Sequence, residues 1–295
     1  MTDREYLAER FEENRTHLRA VAYRMLGSSS DVDDAVQEAW LRLSRADTTG
    51  IDNLGGWLTT VVARVCLDML RSRKSRREDP ITPEAPEPVA TGTIGSSPEH
   101  EAVLADSVGL ALLVVLDRLE PAERLAFVLH DMFGVPFEEI ASIVGRSAEA
   151  ARQLASRARR RVRGGGTTPD SDLVGQRRVV DAFIAALRAG DFEGLLAVLD
   201  PDLVVRADMP ARPGAPALTE IRGAEAWARG AVTYGHMAQL TTPALVDGAI
   251  GVVVAPRGKL VRALRFTIAN GKITEIEVIG NPDRLAELDV SIVEE

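Results

Sequence analysis

Cysteine is almost absent: Cys66 stands alone among 295 residues, which excludes an intramolecular disulfide and any Cys-rich zinc site. It reads as a small core residue. Histidine is scarce too, and His17, His100, His130 and His236 lack the spacing of metal ligands; no metal and no cofactor is expected. Long apolar runs are missing as well. The longest, 108–116 and 249–255, fall well short of the roughly 20 residues that cross a bilayer, and the N-terminal MTDREYLAERFEENR has no apolar stretch of the kind a secretory signal needs. A cytoplasmic location with no membrane partner is the expectation. Positive charge is in short supply, the formal net charge being −9. Even so, residues 145–163, GRSAEAARQLASRARRRVR, hold seven arginines in nineteen positions.

With 45% apolar and 27% charged residues the chain reads as globular, and one domain per about 150 residues suggests about two. Composition divides it. Residues 1–77 read as helices with apolar spacing in LRAVAYRML and WLTTVVARVCLDML, ending in the basic RSRKSRR. Residues 78–106 carry acidic residues, no Lys or Arg, and five prolines from Pro80 to Pro98, the composition of an extended linker. Helical pattern returns over 107–163, interrupted at GVPF and VGRS. The glycine-rich stretch 164–172 is a second, flexible linker. Over 173–295 helical segments near 173–189 and 192–199 give way to strands at 202–208, 248–256, 259–269 and 272–280, the last two flanking Asn270-Gly271 as a tight hairpin. This is an α+β domain.

On a helix over 147–163, at about 100° per residue, Ala151, Leu154, Ala155, Ala158 and Val162 form an apolar seam. Glu149, Arg152, Gln153, Ser156, Arg157, Arg160 and Arg163 gather opposite. Ser147 is a favourable N-cap. The preceding FEEIASIVG is a short amphipathic helix closed by Gly145. Helix, glycine turn and second helix make a helix-turn-helix whose second helix enters the major groove. Arginine forks suit guanine edges or phosphate, and Gln153 suits adenine; a solvated arginine face on a bundle helix stays open as the alternative.

In SSSDVDDAVQEAWLRL, Ser30 is placed to cap a helix whose first turn holds Asp31, Asp33 and Asp34. Asp33, Gln37, Trp40, Leu41 and Ser44 recur at spacings of three and four, mixing carboxylate, amide and a large aromatic. That suits a protein-docking face, with inward packing of Trp40 the other reading. In 53–77, Trp57 near a helix start and the basic end combine base stacking with backbone tracking, the chemistry that holds single strands.

The order DVDDAVQEAWLRL, WLTTVVARVCLDMLRSRKSRR, LDRLEPAERLAFVLHDMFGVPFEEIASIVGRSAEAARQLASRARRRV resembles the extracytoplasmic-function (ECF) sigma factors of bacterial RNA polymerase over about residues 5–163. The resemblance implies a multidomain fold: two all-α helical domains, region 2 and the region 4 helix-turn-helix, then an α+β cone. It implies polymerase core and promoter DNA as partners and no catalytic residue. Asp33, Asp34, Gln37, Trp40 and Leu41 would dock on the β′ clamp helices, and region 4 on the β flap. Trp57, Thr60, Arg64, Asp68, Arg71, Arg73, Lys74, Arg76 and Arg77 would meet the −10 element, although the Arg-Asn pair usual in the family is Arg64-Val65 here. Ser147, Glu149, Ala150, Arg152, Gln153, Ser156, Arg157 and Arg160 would meet the −35 element, and the acidic linker would thread the polymerase.

The C-terminal segment 173–295 resembles the SnoaL-like members of the NTF2-like superfamily, cone-shaped folds with a cavity. The extension is similar to that of the ECF41-type, SigJ-like subgroup. NPDRL (281–285) resembles that subgroup's NPDKL motif, TPEAPEP (82–88) its WLPEP motif, and ADMPARPGAP (207–216) stands where it has a glycine-rich stretch. Asn281, Pro282, Asp283, Arg284 and Leu285 are then expected at an intramolecular contact with regions 2 and 4. The cavity leaves room for an unidentified small ligand. The rival reading is a small-molecule-binding or cyclase-like enzyme tethered to DNA, with Arg206, Asp208, Tyr234 and His236 facing inward.

Overall fold

The structure is a computed structural model that describes residues 3–46, 51, 53–78, 109–164, 173–208, 219–233, 238 and 240–293. The acidic linker after Glu78, most of the glycine-rich linker, ADMPARPGAP beyond Asp208, Tyr234 and His236 lie outside the described residues. The chain packs as two compact units, one ending with Leu119–Arg159 and the other built from Gly109–Arg118 and Arg160 onward.

In the first unit, α1 (Asp3–Leu26), α2 (Ser29–Leu43) and α3 (Leu54–Glu78) pack against one another. Burial recurs at three- and four-residue spacing. Leu18, Val21, Ala22 and Met25 of α1 meet Val32, Ala35, Val36, Ala39 and Leu43 of α2 and Leu58, Val62, Ala63 and Cys66 of α3 in a sealed core. The Asn53 Oδ1 accepts from Gly56 N at 2.9 Å and starts α3. The expected cap of α2 is corrected. The helix begins at Ser29, so Ser30 already lies inside it, and its hydroxyl meets that of Ser28 at 2.9 Å. The helices α5 (Pro121–Phe127) and α6 (Phe137–Val144) and the part of α7 (Ala148–Arg163) up to Arg159 complete the unit, with a π-helical turn at Val128–Met132 leading into GVPF. Gly145 takes the left-handed conformation, φ 71°, that ends α6, and Ala150 N donates to Ser147 Oγ at 3.2 Å as α7 begins.

The second unit opens with α4 (Leu110–Asp117), an all-apolar helix apart from its last residue. Then come α8 (Leu173–Ala189), α9 (Phe192–Val198), β1 (Leu199–Ala207), β2 (Thr219–Arg222), α10 (Ala224–Thr233), β3 (Thr241–Val246), β4 (Ala249–Val254), β5 (Arg262–Ala269), β6 (Lys272–Ile279), α11 (Pro282–Glu287) and β7 (Val290–Ser291). The sheet runs β2-β1-β6-β5-β4-β3-β7, antiparallel except between β1 and β6. Asn270 and Gly271 both have positive φ at the β5–β6 turn, as a primed hairpin turn requires.

Period-two alternation sorts the sheet. Val205, Ile221, Ile276 and Phe266 are cross-strand partners in one row, and this face packs on Val180, Phe183 and Ile184 of α8. The other face carries Arg206, Glu220, Glu277 and Arg265 in register, an ionic ladder. Farther along the sheet, β3, β7 and the turn Pro256–Gly258 support α4.

Candidate nucleic-acid and partner interfaces

The seam expected of α7 is present: Ala151, Leu154, Ala155, Ala158 and Val162 are each 3% exposed or less. Glu149, Arg152, Gln153, Ser156, Arg157 and Arg160 are exposed, and Ala150 is half-buried. Within the unit this face is held by acids. Arg157 Nε donates to the buried Glu123 at 2.8 Å, Arg159 to Asp131 at 2.5 Å, and Arg152 lies 3.6 Å from Glu138 with its guanidinium over the Phe137 ring. Arg152 is also held from Nη1 by Glu149 at 3.4 Å, while the pairings of Arg157 and Arg159 are made through Nε, one of the five donors of each guanidinium.

On α2, Asp33, Asp34, Gln37 and Leu41 are exposed. Asp33 accepts a hydrogen bond from Arg19. Trp40 takes a middle course between the two readings: it is half-buried, with its ring 5.2 Å from that of Phe11, so it is packed on α1 and still partly exposed.

Along α3, Trp57 and Thr60 are half-buried, and Arg64, Asp68, Arg71 and Arg76 are exposed. The Arg77 side chain lies outside the described residues. Arg73 pairs with Asp31 at 2.5 Å. Two of these cations meet the helix-turn-helix segment inside the same unit: Arg64 Nη2 donates to the Ser142 carbonyl at 3.3 Å, and Lys74 Nζ to Glu120 at 2.7 Å. A cleft of about 370 Å³ follows, where Arg71, Lys74, Arg146 and Arg157 stand beside Glu120 and Glu123. Arg124, fully buried, donates from Nε to the Arg24 carbonyl at the end of α1 at 3.2 Å. Sequence reasoning missed Glu123 and Arg124; their adjacency to the apolar LAFVL was the available signal.

Two sigma-70 domain models match this chain, region 2 over residues 10–76 and region 4 over residues 109–162. The ECF RNA polymerase sigma factor SigJ of Mycobacterium tuberculosis is 40% identical, the match covering 93% of this chain and 91% of that one. The chain belongs to the ECF RNA polymerase sigma factors. Probable ECF sigma factor SigI of the same species is 36% identical over 98% of both chains. The crystal structure of SigJ is similar at 37% identity, covering 94% of this chain and 98% of that one with a TM-score of 0.46. This sigma factor therefore acts in promoter-directed initiation with RNA polymerase, and its helical regions 2 and 4 are followed by the α+β domain. No helix among the described residues is long and apolar enough to cross a membrane.

In the second unit of the sigma factor, NPDRL folds as a capped helix start. Asn281 Oδ1 accepts from Asp283 N at 2.9 Å and Arg284 N at 3.4 Å, Pro282 occupies the first turn, and Leu285 is buried. Arg284 joins Asp208 at 2.9 Å and Glu277 at 2.7 Å. Burial opposes ionisation of Glu277, yet the Arg284 hydrogen bond and the nearby Arg265 hold its carboxyl below the ordinary value. Asp208 also accepts from Gly280 N and Asn281 N at 2.7 and 3.1 Å. The inward placement expected for Arg206 and Asp208 is thus corrected. Arg206 stands on the ionic face, bonded to Glu220 and Glu275, because strand alternation puts it opposite the core-facing Val205, and Asp208 is committed to the motif.

Arg118, which sequence reasoning also missed, reaches this motif from the end of α4. Its guanidinium donates to the carbonyls of Leu288 and, at 2.5 Å, Leu285. Carbonyls ending a helix concentrate negative partial charge, so a cation suits them. Ile292 N donates to Val162 O at 3.0 Å. The tail after the motif therefore touches both the first and the last helix of region 4.

Proposed function

We propose that this sigma factor rests in a closed form in which region 4 occupies part of the −10 surface and the C-terminal domain governs its release. The observation that carries the reading is the engagement of Arg64 and Lys74 on α3 by Ser142 and Glu120, while Arg152, Gln153 and Ser156 on α7 remain exposed. Melted DNA needs the same α3 cations to track its backbone. In the open form Asp33, Asp34, Gln37, Trp40 and Leu41 dock on the β′ clamp helices, and region 4 reaches the β flap. The α3 stripe from Trp57 to Arg77 takes the −10 element, and α7 takes the −35 element. The acidic linker threads the polymerase, and the protein acts in the cytoplasm, where promoters are. The bonds of Arg118 to the Leu285 and Leu288 carbonyls and of Ile292 to Val162 support a regulatory contact at Asn281–Leu285.

The test is retention of purified polymerase core on the immobilised full-length protein, followed by run-off transcription. Leu41→Glu places a charge at the centre of the docking stripe on a residue already 37% exposed, so helix content stays intact while core retention and transcript are lost. Undiminished retention would remove the docking assignment.

A further inference from the structure

We propose that the hollow of the α+β cone is a binding site for a small, flat, apolar carboxylic acid, gripped by Arg262. The hollow measures about 220 Å³, below the roughly 300–1,000 Å³ of sites for drug-sized ligands, so its occupant is compact. Phe183 and Trp227 supply a flat wall, their rings 5.6 Å apart and 24° from parallel; Leu187, Val252, Val254 and Leu264 supply much of the rest. A flat apolar body matches that wall.

Arg262 departs from the pattern around it. Along β5 the positions of Leu264 and Phe266 face the core, and Arg262 begins the same row, paired in register with Val254, which also lines the hollow. A guanidinium there adds positive charge and a planar donor fork to a wall built of apolar side chains. That fork matches a carboxylate geometrically and electrostatically. The described lining residues include no Asp or Glu, so an entering anion meets no like charge on them, and the buried Thr241 adds a second polar group.

The hollow also adjoins the regulatory contact. Thr241 begins β3, Val254 ends β4, and β3 together with the turn after β4 supports α4 within the same unit. A ligand bracing Thr241 and Val254 stiffens the platform on which α4 sits. This consequence rests on the regulatory reading above; the binding itself does not.

Benzoate is the probe, and benzamide its uncharged counterpart. Calorimetric titration of the full-length protein is expected to give saturable benzoate binding, with benzamide, or benzoate on the Arg262→Met protein, weaker by roughly tenfold or more. Gly230→Leu is the second variant. Gly230 lines the hollow on α10, and an added Cβ meets nothing within 4 Å, so the side chain obstructs the hollow without disturbing the fold and lowers affinity. Absence of saturable binding, or an affinity unmoved by both variants, overturns the site. Run-off transcription with and without benzoate is read separately: binding with an unchanged transcript keeps the site and overturns only its link to regulation.

Discussion

Cys66 lies in the sealed core of region 2, and burial pushes its thiol up from an ordinary 9.0 to about 12 despite the nearby Arg124. The sign of the consequence follows from proton counting. Above pH 9 the unfolded chain gives up the thiol proton while the native chain keeps it, so the native state loses stability as pH rises, until the native thiol itself titrates near 12. Urea unfolding of region 2 should show this side chain's contribution to stability falling by about 1.4 kcal/mol between pH 8 and pH 10. The comparison is the wild-type chain against Cys66→Ala, and a gap that stays constant across that range would contradict the burial argument. In the native protein a thiol-directed alkylating reagent should react at neutral pH only through unfolding, since the thiolate is the nucleophile. Arg262 makes a different point at this scale. Its place in the row with Leu264 and Phe266 was readable from RALRF, because alternation alone sets the face of a strand residue. What the letters could not tell was which face would meet the hollow.

At the scale of elements, α7 was the most legible part of the chain. An apolar seam at helical spacing has one solution, and all five of its residues are buried. Other elements resisted for physical reasons. Pro243 makes TTPALV read as a loop, yet it lies within β3; β7 pairs only with Leu245 and Val246, so at Pro243 the strand is in effect an edge and tolerates the missing N–H. NPDRL reads equally as a turn or a helix start, since Asn and Pro open both; the Arg284 ion pairs to Asp208 and Glu277 are tertiary and leave no local trace. The −35 assignment of α7 divides into two outcomes. Replacing Arg152 or Gln153 with Ala should shift base preference at the −35 element by about 1–3 kcal/mol per lost contact. Replacing Arg160 should weaken binding to every sequence and reduce the salt slope by about one unit. Fluorescence anisotropy across a set of −35 variants at two salt concentrations separates them, and an unchanged preference after both the 152 and 153 exchanges would refute base reading by this face.

For the whole molecule, the proposed regulation puts its weight on the connection between α4 and α5. Arg118 and Glu120, either side of Leu119, each bond within their own compact unit: Arg118 bonds the carbonyls of Leu285, which ends NPDRL, and of Leu288, and Glu120 bonds Lys74 of α3. Burial and three neighbouring carboxylates act on Arg118 in opposite directions, with burial dominant, so its pKa is lowered from the ordinary guanidinium value; it nevertheless stays charged at any working pH. The Glu120–Lys74 pair is different in kind, because both side chains are about half exposed. Such pairs contribute about 0.2–1 kcal/mol and weaken with salt. Glu120→Gln removes the acid without altering any residue assigned to DNA, and it takes away this one restraint on Lys74. Run-off output at limiting polymerase should then rise by about 1.4- to 5-fold, the factor that this range of free energy allows. The gain should shrink at high ionic strength, where the wild-type pair is already screened. A lower output, or an equal gain at every salt concentration, would mean that region 4 does not restrain the −10 helix through this contact.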